Sequence, residues 1–129
     1  MAKILDTNLV LRYLLDDPGA SKIEKLLKKK EKLLFPDMVF AEIVWTLDSY
    51  YSWDRSKIVD SLLAFIKLSS IKSNEVLLIS SLDIFSKYKS FSFVDSYLVA
   101  LMKEVGVDSI YSFDRDFDKI PGIKRVEPT

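Results

Sequence analysis

Apolar residues along the chain occur in two kinds of spacing, and each kind predicts a type of element. Short continuous runs at residues 2–5 and 33–35 are typical of buried parallel strands. Residues 109–113 alternate as in a half-buried strand, and residues 123–126 are interpreted as a last edge strand after a Pro-Gly turn. Four strands are therefore predicted.

Between these strands, apolar residues recur every three to four positions, which predicts helices. The helices are predicted to begin near Leu9, at Ser21, at Pro36, after a break at residues 52–55, at Asn74 and at Ser92. Ser92 and Asp95 match a capping box, and Gly106 is well placed to end the helix that they open. Helical connections between short strands predict an α/β domain whose parallel sheet is covered on both faces.

The length and composition of the chain limit the class of protein that it can form. A length of 129 residues suits one domain spanning residues 1–129, and a hydrophobic content of 49% provides a core. Basic and acidic residues balance at 19 each, which argues against a strongly basic nucleic-acid coat protein. No apolar run approaches the roughly 18 residues of a membrane span, so we expect a soluble, cytoplasmic protein.

The chain contains neither cysteine nor histidine, which excludes several kinds of chemistry. Disulfides are impossible, and a structural zinc site lacks its usual thiolate and imidazole ligands. Ser-His and Cys-His nucleophilic catalysis are also excluded. Polar catalysis therefore has to rely on carboxylates and the remaining polar side chains, with a hard metal ion as a natural companion.

Two carboxylates stand at the exits of predicted strands. Asp6 follows the first apolar run, and Asp114 follows residues 109–113. Ligand sites in open parallel sheets lie beyond such strand ends. Each residue also has a plainer interpretation, as a helix N-cap for Asp6 and a turn residue for Asp114. Asp116 is interpreted as a solvated residue, with the alternative that it reaches the same site.

Two further carboxylates lie on predicted helices. Glu42 shares a helix face with Met38 and Trp45, so we expect it to face the apolar side, where an unpaired charge is costly. Asp95 completes the capping box that Ser92 opens. The plainer alternatives are a glutamate at the edge of the apolar stripe and an aspartate that only caps its helix.

Carboxylates that converge on one pocket repel each other and raise each other's pKa, and a divalent cation removes that penalty. A ligand set made only of oxygen atoms selects Mg²⁺ or Mn²⁺ over zinc or copper. The chemistry that such an ion supports is phosphodiester hydrolysis. Together the four acids are therefore interpreted as a metal site, although they do not identify a substrate.

At this point the sequence resembles the PIN-domain family and, within it, the VapC-like toxin ribonucleases. The resemblance spans nearly the whole chain, and it rests on LDTN at residues 5–8, AE at 41–42, DSYLVA at 95–100 and SFDRDF at 112–117. It implies a three-layer α/β/α sandwich with a mainly parallel sheet. It also implies an endoribonuclease that depends on Mg²⁺ or Mn²⁺.

The resemblance assigns roles residue by residue. Asp6 and Asp95 would be direct metal ligands, and Asp114 would complete the acidic cluster. Glu42 would position water or help to ligate the metal. Supporting roles fall to Asn8, which would orient the first acid, and to Ser112, which would form a hydrogen bond within the pocket.

The same resemblance implies binding partners for the protein. Toxin members of the family cleave RNA, are silenced by a cognate antitoxin and form homodimers. Arg12 and Arg115 flank the expected pocket and are candidates for contact with substrate phosphate. The lysine run at residues 28–32 is interpreted as a solvated helix end, with RNA contact as the alternative.

Two other functional hypotheses stay open at the sequence level. The first is an RNA-processing or structure-specific nuclease with the same fold and no antitoxin. The second is a non-catalytic PIN-like binding module, in which the acids only cap helices and shape a surface for a partner.

Overall fold

A computed structural model describes residues 2–129 of the chain. The strands are β1 (Lys3–Ile4), β2 (Leu33–Phe35), β3 (Ile71–Ser73), β4 (Ser109–Tyr111) and β5 (Lys124–Val126). The α-helices are α1 (Thr7–Leu14), α2 (Ala20–Leu27), α3 (Asp37–Trp45), α4 (Arg55–Ile66), α5 (Glu75–Lys87) and α6 (Phe93–Val105). A π-helical turn (Thr46–Tyr50) prolongs α3, and a 3-10 helix (Arg115–Lys119) follows β4.

The strands pair in parallel, which confirms the predicted α/β class. β1, β2 and β3 form one sheet in that order, with Ile4 opposite Leu34 and Phe35 opposite Ser73. β4 and β5 form a second sheet, so the described residues contain two parallel sheets instead of one continuous central sheet. β3 was not predicted, because its three residues form no apolar run.

Aromatic rings fill the core between the first sheet and its helices. Phe35 of β2 lies 5.4 Å from both Phe40 of α3 and Phe65 of α4, measured between ring centroids. Phe93 of α6 lies 5.3 Å from Phe40 and 6.0 Å from Phe85 of α5. Tilted and edge-on pairs at these distances are favourable beyond the area that they bury. This cluster therefore packs α3 and α4 against β2, and α6 against α3 and α5.

A second buried cluster attaches the C-terminal sheet to α5 and α6. Phe117 of the 3-10 helix packs on Phe91, with ring centroids 5.0 Å apart, and Ile120 is buried beside it. Val99 and Ala100 supply the α6 side of the cluster. The chain after α6 is therefore held mainly through these helices, since β4 pairs only with β5 among the described strands.

The structure corrects the predicted orientation of Glu42. The buried face of α3 consists of Phe40, Ile43 and Val44, and Glu42 is exposed. Its neighbours Met38 and Trp45 are 86% and 63% exposed. The prediction was wrong because α3 has apolar residues on more than one face, so an apolar neighbour did not identify the buried side.

Arg55, which the sequence pattern places only in a break between helices, organises the turn between α5 and α6. Its guanidinium donates to the carbonyl oxygens of Phe85 at 2.8 Å, Phe91 at 2.7 Å and Tyr88 at 3.3 Å. The guanidinium carbon also lies 3.9 Å from the centroid of the Phe85 ring. Burial lowers the pKa of Arg55, and nearby Asp48 opposes that shift.

None of the helices found between residues 2 and 129 is both long enough and apolar enough to cross a membrane.

Candidate metal centre

The carboxyl ends of the parallel strands β1, β2 and β3 bring polar residues to one edge of the first sheet. Asp6 comes two residues after β1, Asp37 comes two residues after β2, and Asn74 directly follows β3. The register of the strands places these positions at a similar level along the strand direction. This carboxyl edge is the place where a parallel sheet presents a ligand site.

Asp6 and Glu42 approach each other through Thr7. Asp6 is the N-cap of α1, and its Oδ1 accepts from the backbone N–H of Thr7 at 2.8 Å. The hydroxyl of Thr7 donates to Oε2 of Glu42 at 3.3 Å. The first turn of α1 is therefore joined to the exposed side of α3, and both carboxylates are open to solvent.

Asp95 occupies the third position of α6 and forms the predicted capping box. Its backbone N–H donates to Oγ of Ser92 at 3.1 Å, and its Oδ2 accepts from the backbone N–H of Ser92 at 3.2 Å. The residue is half-buried.

Asp114 caps the 3-10 helix and is exposed. Its Oδ1 accepts from the backbone N–H of Asp116 at 2.9 Å, and its own N–H donates to Oγ of Ser112 at 3.0 Å. Asp116 forms a salt bridge with Lys119 at 3.0 Å. Ser112 therefore supports the turn that presents Asp114, and Asp116 has a cation of its own.

The other predicted supporting residues have local partners. Oδ1 of Asn8 accepts from Nε of Arg12 at 3.2 Å, and Nη1 of Arg12 donates to the carbonyl oxygen of Pro18 at 3.4 Å. These residues line an open hollow of about 470 Å³ that also includes Tyr51. Arg115 is exposed at the start of the 3-10 helix.

Sequence reasoning missed a hydrogen-bonded group built on Asp37. The hydroxyl of Tyr97 donates to Oδ2 of Asp37 at 2.6 Å, and Nδ2 of Asn74 donates to the same oxygen at 3.4 Å. The bond to Asp37, assisted by burial, raises the pKa of Tyr97 to about 12. Because Tyr97 is on α6 and Asp37 is on α3, this bond ties together the helices that present Asp95 and Glu42.

The four predicted acids have no cationic partner within residues 2–129, a property that they share with eight of the fifteen other carboxylates. Within residues 2–129, none of them lies within salt-bridge distance of a lysine or arginine side chain, whereas Asp48, Asp83 and Asp118 do. In the same part of the chain, no three carboxylates are close enough to hold an ion together. The donor chemistry nevertheless fits Mg²⁺, which takes one or two protein carboxylates and completes its shell with waters and substrate phosphates.

The protein has a parallel α/β fold with polar residues at the carboxyl edge of its first sheet. Comparison with known families identifies the class of protein to which it belongs. The model of the PIN domain matches residues 3–123, and the chain belongs to the PIN domain family.

Individual relatives can be named within that family. The chain is similar to a VapC ribonuclease of Aquifex aeolicus (strain VF5), with 28% identity over 133 residues, covering 98% of this chain and 96% of the relative. A crystal structure of Mycobacterium tuberculosis VapC20, described as a sarcin-ricin loop cleaving toxin, is also similar. It shows 24% identity and a TM-score of 0.42, and the match covers 99% of this chain and 100% of that chain.

Proposed function

We propose that this PIN domain is an endoribonuclease that hydrolyses RNA phosphodiester bonds with Mg²⁺ or Mn²⁺, and that it acts as the toxin of a toxin–antitoxin pair. The main support is the match of the PIN domain model to residues 3–123, together with the position of Asp6 at the carboxyl edge of the first sheet. Within residues 2–129, no lysine or arginine side chain lies within salt-bridge distance of Asp6, Glu42, Asp95 or Asp114, so a metal ion would not have to displace an ion pair.

The four acids retain ligand capacity despite their structural roles. The caps use one oxygen of each aspartate, Oδ1 of Asp6, Oδ2 of Asp95 and Oδ1 of Asp114. A carboxylate has two oxygens with about four lone-pair sites, so each aspartate can cap a helix and bind a cation. We assign Asp6 and Asp95 as direct ligands and Asp114 as the residue that completes the cluster.

A bound Mg²⁺ or Mn²⁺ supplies water activation and neutralises charge on the phosphate. The chain's own residues then have simpler tasks. Glu42, held by the hydroxyl of Thr7, orients the attacking water or helps to ligate. Asn8 is proposed to orient Asp6 and also accepts a hydrogen bond from Arg12, and Arg12 and Arg115 are proposed to contact phosphate.

The proposed partners are an RNA substrate, a small antitoxin and a second copy of the chain, in the cytoplasm. The similarity to a VapC ribonuclease supports the first two. Exposed apolar residues on α3 and α6 support the third.

The experiment that tests this function is sequencing of RNA 5′ ends after induction of the wild type and of Asp6→Asn. We expect new, discrete RNA ends with the wild type only, because loss of one metal ligand removes several kcal/mol of charge stabilisation from the transition state. Cleavage should therefore be slower by at least about a hundredfold. Asp60→Asn, an exposed acid on α4, is the matched control and should cleave normally.

Purified protein gives the complementary test. Cleavage should require added Mg²⁺ or Mn²⁺, stop with chelator and disappear in Asp95→Asn. Full cleavage by both Asp6→Asn and Asp95→Asn would disprove the carboxylate mechanism.

One observation favours a second candidate, the non-catalytic binding module. Asp6, Asp95 and Asp114 all cap helices, so each has a structural reason to be present. Calorimetric titration with Mn²⁺ separates the two candidates. Binding that Asp6→Asn weakens supports the nuclease, whereas no binding at millimolar metal supports the module.

A further inference from the structure

Lysines collect at the amino edge of the first sheet, opposite the proposed metal centre. Lys28, Lys29, Lys30 and Lys32 precede β2, and Lys72 of β3 lies beside them around a concavity of about 410 Å³. We call these five residues the lysine patch. The backbone bond from Leu33 N–H to the carbonyl oxygen of Ser70, at 2.8 Å, holds the two loops of this edge together.

The patch has little compensating negative charge. Glu31 is the one acid among the residues lining the concavity, and the side chain of Lys3 binds it, which lowers the pKa of Glu31. Lys28 reaches Glu24 at 3.6 Å, both being exposed. Within residues 2–129, Lys29, Lys30 and Lys32 take part in no salt bridge.

Helix termination does not account for this charge. The C-terminus of α2 at Leu27 carries a partial charge of roughly −0.5, which a single lysine more than offsets. The patch instead carries five positive charges in a chain whose net charge is zero. Like charges this close repel each other in the folded protein, and a bound polyanion removes that repulsion.

We propose that the lysine patch binds the phosphates of single-stranded RNA on one side of the bond that the carboxylates cleave. This inference rests on the proposed nuclease function. Lys32 and Pro36 flank β2 at the amino and carboxyl edges of the sheet and are four residues apart. At about 3.3 Å per residue, the two edges are separated by about 13 Å. One RNA strand can therefore contact both edges of the sheet.

The chemistry of the patch indicates contact with the backbone of any sequence. Its lining consists of lysine, serine and one glutamate, with no aromatic ring on which a base could stack. Lysine binds phosphate as a point charge, without the planar fork of arginine. The patch therefore adds affinity and orients the strand, and sequence selection takes place elsewhere.

The test measures RNA affinity by fluorescence anisotropy in chelator, so that no cleavage occurs. A labelled unstructured oligoribonucleotide is titrated with the wild type and with the triple variant K29Q/K30Q/K32Q. Each phosphate contact contributes about −0.7 to the slope of log K against log salt, so the slope should become shallower by roughly 2. At about 100 mM salt, affinity should fall by roughly tenfold to a hundredfold.

The matched control is K57Q/K89Q/K103Q, which removes the same charge from exposed lysines outside the patch. It should leave the salt slope close to that of the wild type. Equal losses in both variants, or no loss in the patch variant, would overturn the inference. Unchanged RNA binding with lost flotation on phosphatidylserine vesicles would assign the patch to a membrane surface instead.

Cleavage kinetics separate this inference from the proposed function. If the chain is a nuclease, K29Q/K30Q/K32Q should raise KM and leave kcat within about twofold, because these lysines lie away from the carboxylates. If Asp6→Asn leaves cleavage intact or no cleavage exists, the nuclease proposal fails. The anisotropy result in chelator still decides whether the patch binds RNA.

Discussion

At the scale of single residues, Asp95 combines a visible structural role with a proposed ligand role, and the two can be separated. Ser92 and Asp95 cap α6 reciprocally, and only Asp95 has a carboxylate for a metal ion. We expect Ser92→Ala to lower the free energy of unfolding by about 1 kcal/mol and to retain RNA cleavage. We expect Asp95→Asn to abolish cleavage with a smaller loss of stability.

Urea unfolding and cleavage assays on the same preparations test this pair. Full cleavage by Asp95→Asn would show that Asp95 only caps the helix. Loss of cleavage in Ser92→Ala while it remains folded would show that cleavage depends on the cap, so that the two roles of Asp95 are not separable.

Tyr97 gives a second prediction at this scale, because its proton is held by Asp37. The pKa of Tyr97 is raised from 10.0 to about 12. Between these pH values the folded protein keeps a proton that the unfolded chain has lost, so stability should fall as pH rises from about 10 to about 12. Ultraviolet titration should show one tyrosine ionising late, and Asp37→Asn should shift that ionisation toward the ordinary value.

The matched variant is Tyr97→Phe, which should remove the late transition and cost about 1.5 kcal/mol of stability, the lower range for a hydrogen bond to a charged group. A late transition that persists in Tyr97→Phe would assign it to another tyrosine. It would also refute the role of the Asp37 bond.

Around the candidate site, the sequence predicted contacts that are local, and it missed contacts between distant parts of the chain. The capping box of Asp95 is a pattern within four residues, so the sequence identified it. The bond between Asp37 and Tyr97 joins positions 60 residues apart, and no local pattern encodes such a contact. The exposure of Glu42 likewise depends on which face of α3 meets the core.

At the scale of elements, Arg55 of α4 holds the α5–α6 turn by donating to three backbone carbonyls. Arg55→Lys keeps the charge but cannot reach all three acceptors, since lysine lacks the planar fork. We expect it to lower the free energy of unfolding by about 2–3 kcal/mol, because partly buried carbonyls lose their donors. Guanidinium unfolding measures the change.

Lys57→Gln, two residues further along α4, is the control for Arg55→Lys. It loses only an exposed cation–π contact with Trp53, worth about 0.5 kcal/mol. Equal stabilities of the two variants would mean that Arg55 does not hold the turn.

The same scale explains how far the fold could be predicted. Helices such as α4 and α6 follow a sustained 3.6-residue period, and their predicted positions are confirmed. β3 has only three residues, of which Ile71 alone is buried, so its pattern was too short to recognise. The division of the strands into two sheets depends on which strands pair with one another, and no property of a single segment determines that choice.

At the scale of the whole molecule, one exposed apolar face leads us to expect self-association. Met38 and Val94 are 86% and 56% exposed and line one hollow of about 250 Å³ between α3 and α6, with Trp45 exposed further along α3. Monomers rarely expose large contiguous apolar patches. A net charge of zero adds no overall repulsion between copies. We therefore expect a homodimer that uses this face.

Sedimentation velocity over a range of micromolar concentrations tests the dimer. M38K/V94K should weaken it at least tenfold, because two lysines would have to be desolvated in an apolar interface, each costing about 1 kcal/mol or more. Val76→Lys, at a residue that is 77% exposed on α5, is the control and should leave association unchanged. Since α3 and α6 also present Glu42 and Asp95, the dimer variant should be assayed for cleavage at matched concentrations. Weakening of association by Val76→Lys but not by M38K/V94K would place the interface on α5.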